Sequence, residues 1–326
     1  MAPLECHLYA LEPQARERVW GGQFLQPADP PIGEEWVAYG PSRVKGGPCD
    51  GLSVDDLADR HGADLLGTTV TGRFGTRFPL LVKLLDCADW LSVQVHPNDE
   101  QARRMVGPNE FGKTEAWYFI STDAGAKIMV GVKPGVGRQE LIEAIRDGRI
   151  LEVARILDVH NGESLLVPAG TLHALGPGLL IYEIQQASDT TYRVYDWNRP
   201  PSTGRKLHIE ESIEATQAVG PATLTSPTVS SETGSAIAAE CAYFDLHLIQ
   251  VGADAGAGAG AGIDADTGGR SFHLVTVIEG TAEIERGDER LTIGRFGTVL
   301  VAAGAGQYRI RAVGGPIKVL QAAVTD

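Results

Sequence analysis

The stretch WLSVQVHPND, residues 90–99, places Leu91, Val93 and Val95 on one parity and Ser92, Gln94 and His96 on the other. A period of two belongs to a strand, whose successive side chains point to opposite faces. The segment therefore offers one apolar face and one face carrying a hydroxyl, an amide and an imidazole. Pro97 ends it, because proline has no N–H to give to a ladder. Upstream, FPLLVKLLDCAD supplies another strand. Downstream, KTEAWYFIS, AKIMVGV, ESLLVPAGTLHALGPGLLIYEIQQAS and TTYRVYDW read as further strands punctuated by proline and glycine. Helical signals are few. NDEQARRMV is a short helix capped by Asn98 or Asp99. In GRQELIEAIRDGRILEVARIL, the spacing of Leu141, Ile142, Ile145, Ile150, Leu151, Val153 and Ile156 predicts two short helices broken near Gly148. The chain reads as all-β with a small helical insertion near 138–158.

At 326 residues the chain exceeds the commonest single-domain size, and its 40 glycines and 18 prolines favour turns over long helices. After a turn-rich opening and the strands above, residues 216–240 are rich in Thr, Ser, Ala and Pro and read as a connection. From YFDLHLIQV onward, short β-type runs alternate with glycine turns. The expected division is a domain over 1–235 and a smaller β-sandwich or barrel over 236–326. Within the latter, GADAGAGAGAGID reads as a flexible surface loop, and His247 and His273 have no Glu/His set around them that would make a metal site.

The formal net charge of −14 argues against a nucleic-acid surface, so an anionic ligand would need a local basic pocket. No apolar run approaches the roughly 20 residues that span a bilayer. The four cysteines are scattered and the first residues carry no signal-peptide core, which predicts reduced thiols and a cytoplasmic setting. The sequence sets no oligomeric state.

Gln94 and His96 share a strand face, Glu115 lies on a following strand and His173 follows the turn PAGT. Glu115 is embedded in TEAWYFI, a run that implies burial on both faces, and a buried carboxylate needs a compensating charge. A divalent cation would supply it. Two imidazoles and a carboxylate suit Zn²⁺, but also Fe(II) of the non-haem oxygenases. The plainer alternative is that Glu115 pairs with Lys113 or an arginine and that the histidines cap turns.

Together with VWGG (19–22), the stretches FPLLVKLLDCADWLSVQVHPND, GKTEAWYF, VPAGTLHALG and YEIQQASDTTYRVYDWNR resemble the type I phosphomannose isomerases, in the short bacterial form. The likeness runs from near residue 18 to near residue 200. It implies a cupin-type β-barrel or jelly roll as the catalytic domain, followed by a degenerate cupin-like domain, and one Zn²⁺ per chain held by Gln94, His96, Glu115 and His173. It further implies a catalytic arginine at Arg193 and an acidic pocket residue at Glu183. Ser92 and Lys113 match positions associated with the substrate phosphate, and Arg199 falls where longer relatives have a basic residue. Leu175 stands where the longer, eukaryotic-type enzymes have tyrosine.

The implied reaction interconverts mannose 6-phosphate and fructose 6-phosphate through an enediol(ate). Glu183 is the first candidate for the base, or else a salt-bridge partner of Arg193. Lys83 is a secondary phosphate candidate or a partner of Asp86 or Asp89. The alternatives are an Fe(II) cupin oxygenase and a metal-retaining, sugar-phosphate-binding cupin without catalysis.

Overall fold

The computed structural model describes residues 4–200, 204–217, 222–253 and 261–325. Strands dominate, and the chain divides into two compact units, each discontinuous in sequence. A central unit comprises 15–35 and 82–225; a terminal unit comprises 1–14, 36–81 and 226–326.

In the central unit, a six-stranded sheet runs in the order Gln14–Gly22, Ile32–Ala38, Leu80–Cys87, Leu179–Gln186, Glu115–Thr122 and Ser164–Val167. A five-stranded sheet runs Tyr192–Tyr195, Val93–Val95, His173–Leu175, Lys127–Val132 and Ala154–Asp158. Every second residue of the first sheet, including Leu85, Trp117, Phe119 and Ile181, packs against Ile128, Val130 and Leu175 of the second. The outer face of the five-stranded sheet carries Val93, Val95, Met129, Ala174, Tyr192 and Val194. The helices Arg138–Arg146 and Ile209–Ala215 cover it with Leu141, Ile145 and Ile213. Val93 and Val95 thus pack outward, as their alternation predicts. Leu91 does not follow them: it precedes the strand and joins the inter-sheet core.

The parity of the inter-sheet face positions the site. On strand after strand the apolar series gives way to polar residues: Cys87 and Leu85 to Lys83, Phe119 and Trp117 to Glu115, Leu175 to His173, and Leu179 and Ile181 to Glu183. Gln94 and Arg193 lie on the same face, because their neighbours Val93, Val95, Tyr192 and Val194 face outward. Register aligns the row, with Gln94 opposite both His173 and Arg193.

The terminal unit is also built of two sheets. One runs Leu8–Leu11, Thr298–Val301, His273–Glu279, Ile317–Ala323, Asp245–Val251 and Gly234–Glu240; the other runs Gly262–Asp266, Gln307–Ala312, Ala282–Arg286 and Glu289–Ile293. Val275, Val277, Val299, Val319, Ile284 and Ile310 fill the space between them.

Three features differ from the sequence reading. The helical insertion is confined to Arg138–Arg146 and Ile150–Val153, and Ala154–Asp158 is a strand paired with Lys127–Val132, so Ile156 is exposed. Ladder hydrogen bonds at the sheet edge outweigh the helical spacing there. The turn-rich opening holds three strands and the helices Val54–His61, Ala63–Leu66 and Thr68–Phe74, the first with a Ser53–Asp56 capping box. Finally, the units do not meet at a single cut near 235. Residues 1–14 and 36–81 belong with the last hundred, and Leu8 pairs with Val301. Of the Gly/Ala run read as a surface loop, residues 254–260 lie outside the described residues. Among the described residues, no helix is long and apolar enough to cross a membrane.

Candidate active site

His96, Glu115 and His173 converge, with one ligand atom from each lying within 4.8 Å of the others and all three side chains buried. Short strands place them: His96 directly follows Val93–Val95, Glu115 begins its strand and His173 begins another. The imidazole of His96 lies with Nδ1 2.9 Å from the carbonyl of Thr190, and that of His173 with Nδ1 2.9 Å from the carbonyl of Thr171. A carbonyl only accepts, so each Nδ1 carries the proton and each Nε2 keeps its lone pair. Both Nε2 atoms lie close to the carboxylate, that of His96 at 3.4 Å and that of His173 at 3.2 Å from Glu115.

Burial pushes the His96 imidazole down to about 3, with Lys113 adding to the effect, and burial likewise lowers His173. Both are therefore neutral imidazoles at pH 7. Burial alone would raise the Glu115 carboxyl, but the Lys113 ammonium beside it outweighs burial and holds the group well below the usual carboxylate range. Lys113 Nζ stands 3.1 Å from both Glu115 Oε2 and His96 Nε2. The Glu115–Lys113 ion pair weighed from the sequence is therefore present. It does not satisfy the carboxylate: both Glu115 oxygens are buried without a hydrogen-bond partner. A desolvated carboxylate with unspent lone pairs facing two neutral imidazole nitrogens is a donor set that fits a divalent cation. The Gln94 amide nitrogen lies 3.2 Å from His173 Nε2. Turning the amide over would present its oxygen to the same centre.

Gln94 and Lys113 also line a cavity of ≈ 330 Å³. Its basic groups are Arg18, Lys83, Lys113, Arg193 and Arg205 and its acidic groups Glu17, Glu34, Glu183 and Asp189, so in a chain of net charge −14 cations here outnumber anions by one. Glu34 is held by Arg18 through two contacts, of 3.0 and 2.9 Å. Glu183 does not meet Arg193. Its Oε1 accepts from Lys83 at 3.0 Å and its Oε2 from Trp117 Nε1 at 3.1 Å. Lys83 accordingly pairs with Glu183, not with Asp86 or Asp89. Burial would lower the Lys83 ammonium, but Glu183 and Glu34 outweigh it and hold it above its ordinary value.

Arg193 lines the cavity with a buried Nε that has no hydrogen-bond partner, and burial, then Arg205, lowers its guanidinium below its ordinary value. Ser92 lines the cavity too. Arg199 does not; it is held by Asp196 and Asp89. Arg205, which the sequence reading passed over, is the arginine that reaches Ser92. Nothing in the local pattern GRKLH distinguishes it from a solvent-facing arginine.

A family model of the phosphomannose isomerase type I catalytic domain matches residues 8–114. Mannose-6-phosphate isomerase ManA of Bacillus subtilis (strain 168) is 34% identical over 316 residues, which covers 92% of this chain and 94% of the relative. The chain belongs to the mannose-6-phosphate isomerase family. The mannose-6-phosphate isomerase of Streptococcus mutans serotype c is 41% identical over 228 residues, 66% of this chain and 69% of the relative. The crystal structure of the mannose 6-phosphate isomerase from Bacillus subtilis superimposes with a TM-score of 0.83 at 28% identity, covering 97% of this chain and 99% of the other. A zinc-bound mannose 6-phosphate isomerase shares the fold, with a TM-score of 0.77 at 15% identity over 98% of this chain and 100% of the other.

Proposed function

We propose that the protein is a zinc-dependent isomerase of the cupin type that interconverts mannose 6-phosphate and fructose 6-phosphate. One observation carries the reading. The inter-sheet face of the central unit turns from apolar to polar at one end, and there a buried His–Glu–His donor set adjoins a cationic cavity. One Zn²⁺, held by His96, Glu115 and His173 with Gln94, would supply a Lewis acid without redox chemistry.

The chain's own groups serve the remaining demands of moving a proton between C2 and C1. Arg193 presents a permanent cation to oxygens that gain negative charge, with an Nε–H spent on no protein partner. Glu183 is the base. Each of its oxygens accepts one hydrogen bond, and a carboxylate oxygen has a second lone pair for the carbon-bound proton. Lys83 then acts through Glu183, fixing its orientation. Ser92 faces the cavity where a phosphate would be held away from the reacting carbons, whereas Lys113, with Nζ 3.1 Å from Glu115 Oε2 and His96 Nε2, faces it at the metal-ligand end and adds a cation there. The cysteines carry free thiols, which suits a cytoplasmic enzyme.

The test is a coupled assay of fructose 6-phosphate formation from mannose 6-phosphate, run with and without chelator under air and under argon. Turnover that chelator abolishes, zinc restores and oxygen does not affect is the expected result. No turnover by fully metallated protein would leave only a binding role, and a requirement for O₂ would move the protein to the oxygenases.

A further inference from the structure

Two arginines come after the turn that follows Tyr192–Tyr195, and the fold sends them in different directions. Trp197 and Asn198 both adopt the left-handed backbone, at φ 56° and 55°. The turn is pinned where Trp197 Nε1 donates to the carbonyl of Leu91 at 2.7 Å and the indole stacks 4.9 Å from Trp90. It carries Arg199 away from the cavity. There Nη1 donates to Asp196 Oδ1 at 3.0 Å, and Nη2 to Asp89 Oδ2 at 2.8 Å and to the carbonyl of Trp90 at 2.6 Å. Arg205 lies on the cavity wall instead. Its Nε donates to Asp196 Oδ2 at 2.8 Å and its Nη2 to Ser92 Oγ at 3.0 Å.

We propose that Arg205, with Ser92, is the group that grips the substrate's phosphate, and that Asp196, which accepts from Arg199 with one oxygen and from Arg205 with the other, is the positioning residue that fixes it there. The assignment rests on the isomerase reading given above. A guanidinium has five N–H donors in a rigid fork, and the contacts to Asp196 and Ser92 use two of them. The rest are available to a dianion that the Ser92 hydroxyl can also serve. Ser92 precedes Gln94 by two residues on the same face, a separation of about 7 Å along a strand. That is comparable with the length of an open hexose chain, so a phosphate at Ser92 leaves the C1–C2 end beside Gln94 and the metal ligands. Arg193, in register opposite Gln94 on the neighbouring strand, lies at that second end and serves the reacting carbons.

The experiment measures inorganic phosphate on zinc-loaded, full-chain protein in two ways: as a competitive inhibitor of mannose 6-phosphate turnover, and by calorimetric binding. Arg205→Ala should weaken phosphate about 10- to 100-fold by both, the loss expected for charge-assisted hydrogen bonds. It should raise KM in proportion while kcat stays within about threefold. Arg205→Lys keeps the charge without the fork and should lie between parent and Arg205→Ala; it also decides the matter if the alanine variant loses metal or cooperative unfolding. Arg199→Ala should change phosphate binding less than about twofold. Asp196→Asn should weaken phosphate in the parent and have no further effect in the Arg205→Ala background, which a merely structural aspartate would not show. Phosphate binding by Arg205→Ala at nearly the parent strength, or a loss confined to Arg199→Ala, overturns the assignment. A parent that binds phosphate through Arg205 yet does not isomerise overturns the reaction and leaves the anchor standing.

Discussion

The two β units solve the same packing problem with different interiors. Each buries alternate residues of two facing sheets, and in each a few polar side chains interrupt the apolar series. In the terminal unit the interruption consists of His273, Tyr308 and Gln321, at the ends of the series running through Val275, Ile310 and Val319. These groups satisfy one another: His273 Nδ1 lies 2.8 Å from Tyr308 Oη, and Gln321 Nε2 donates to the same oxygen at 2.5 Å. In the central unit the interruption is left unfinished. Glu115 has the Lys113 ammonium beside it but no hydrogen bond on either oxygen, and the Nε2 atoms of two neutral imidazoles lie 3.2 and 3.4 Å from it. Buried polarity alone does not mark a site; the mark is buried polarity that its neighbours leave unsatisfied, since such groups cost free energy until something completes them.

The sharpest way to break the contrast is to remove one histidine from each unit. His96→Ala and His173→Ala should lose stoichiometric zinc and lower kcat by at least about 10²-fold, because a Lewis acid is worth several kcal/mol to the transition state. His273→Ala should keep its metal and its kcat. Full zinc content in both central-unit variants, measured by atomic absorption, would erase the difference between the interiors.

Next in size is Arg193→Ala, expected to lower kcat by a factor on the order of 10² to 10³, as for the loss of one preorganised donor. Its fold should survive, because among the described residues the guanidinium has no ion-pair partner whose loss would strand a buried carboxylate. Glu183→Ala differs in kind: it removes the carboxylate that the buried Lys83 ammonium meets at 3.0 Å and should cost about 1–3 kcal/mol of stability as well as activity. Equal thermal stability of these two variants in calorimetry would contradict the pairing of Glu183 with Lys83.

In the terminal unit the largest effects should be on stability. Ile310 is fully buried, and Ile310→Ala should cost about 2–5 kcal/mol with little change in zinc content. Acid supplies a gentler probe. Burial, then His247, pushes the His273 imidazole down to about 4 from 6.5, so the unfolded chain protonates first. Its contribution to stability is complete above pH 6.5 and is lost as the pH falls from 6.5 toward about 4. At about 1.4 kcal/mol per pH unit the whole effect is about 3 kcal/mol. Urea titrations at pH 7 and pH 4.5 should therefore show a smaller difference for His273→Gln than for the parent. The same pH sensitivity in both proteins would assign it elsewhere.

Much of this was legible in short stretches. The alternation around Gln94 fixed which residues face inward, and the apolar setting of Glu115 showed a carboxylate in need of a cation. Such signals are local, because a strand carries its two faces in its own sequence. What stayed hidden depends on partners far along the chain. The Lys83–Glu183 pair joins adjacent strands a hundred positions apart. Arg205 looks like any surface arginine until the left-handed turn at Trp197 and Asn198 sets Arg199 aside. Leu8–Leu11, within the opening that read as turns, finds its ladder only at Val301 and its neighbours, nearly the whole chain away.

The division of the chain also orders its own synthesis. Residue 225 completes the central unit, so that sandwich can close while the remainder is still being translated. The Leu8–Leu11 strand, made among the first, meets Val44 on one edge but has no neighbour on the other until Thr298–Val301 emerges. For most of translation this apolar edge must wait unpaired, a ready template for the wrong strand. A chain stopped shortly before Thr298 should therefore hold a folded metal-binding sandwich and an aggregation-prone N-terminus.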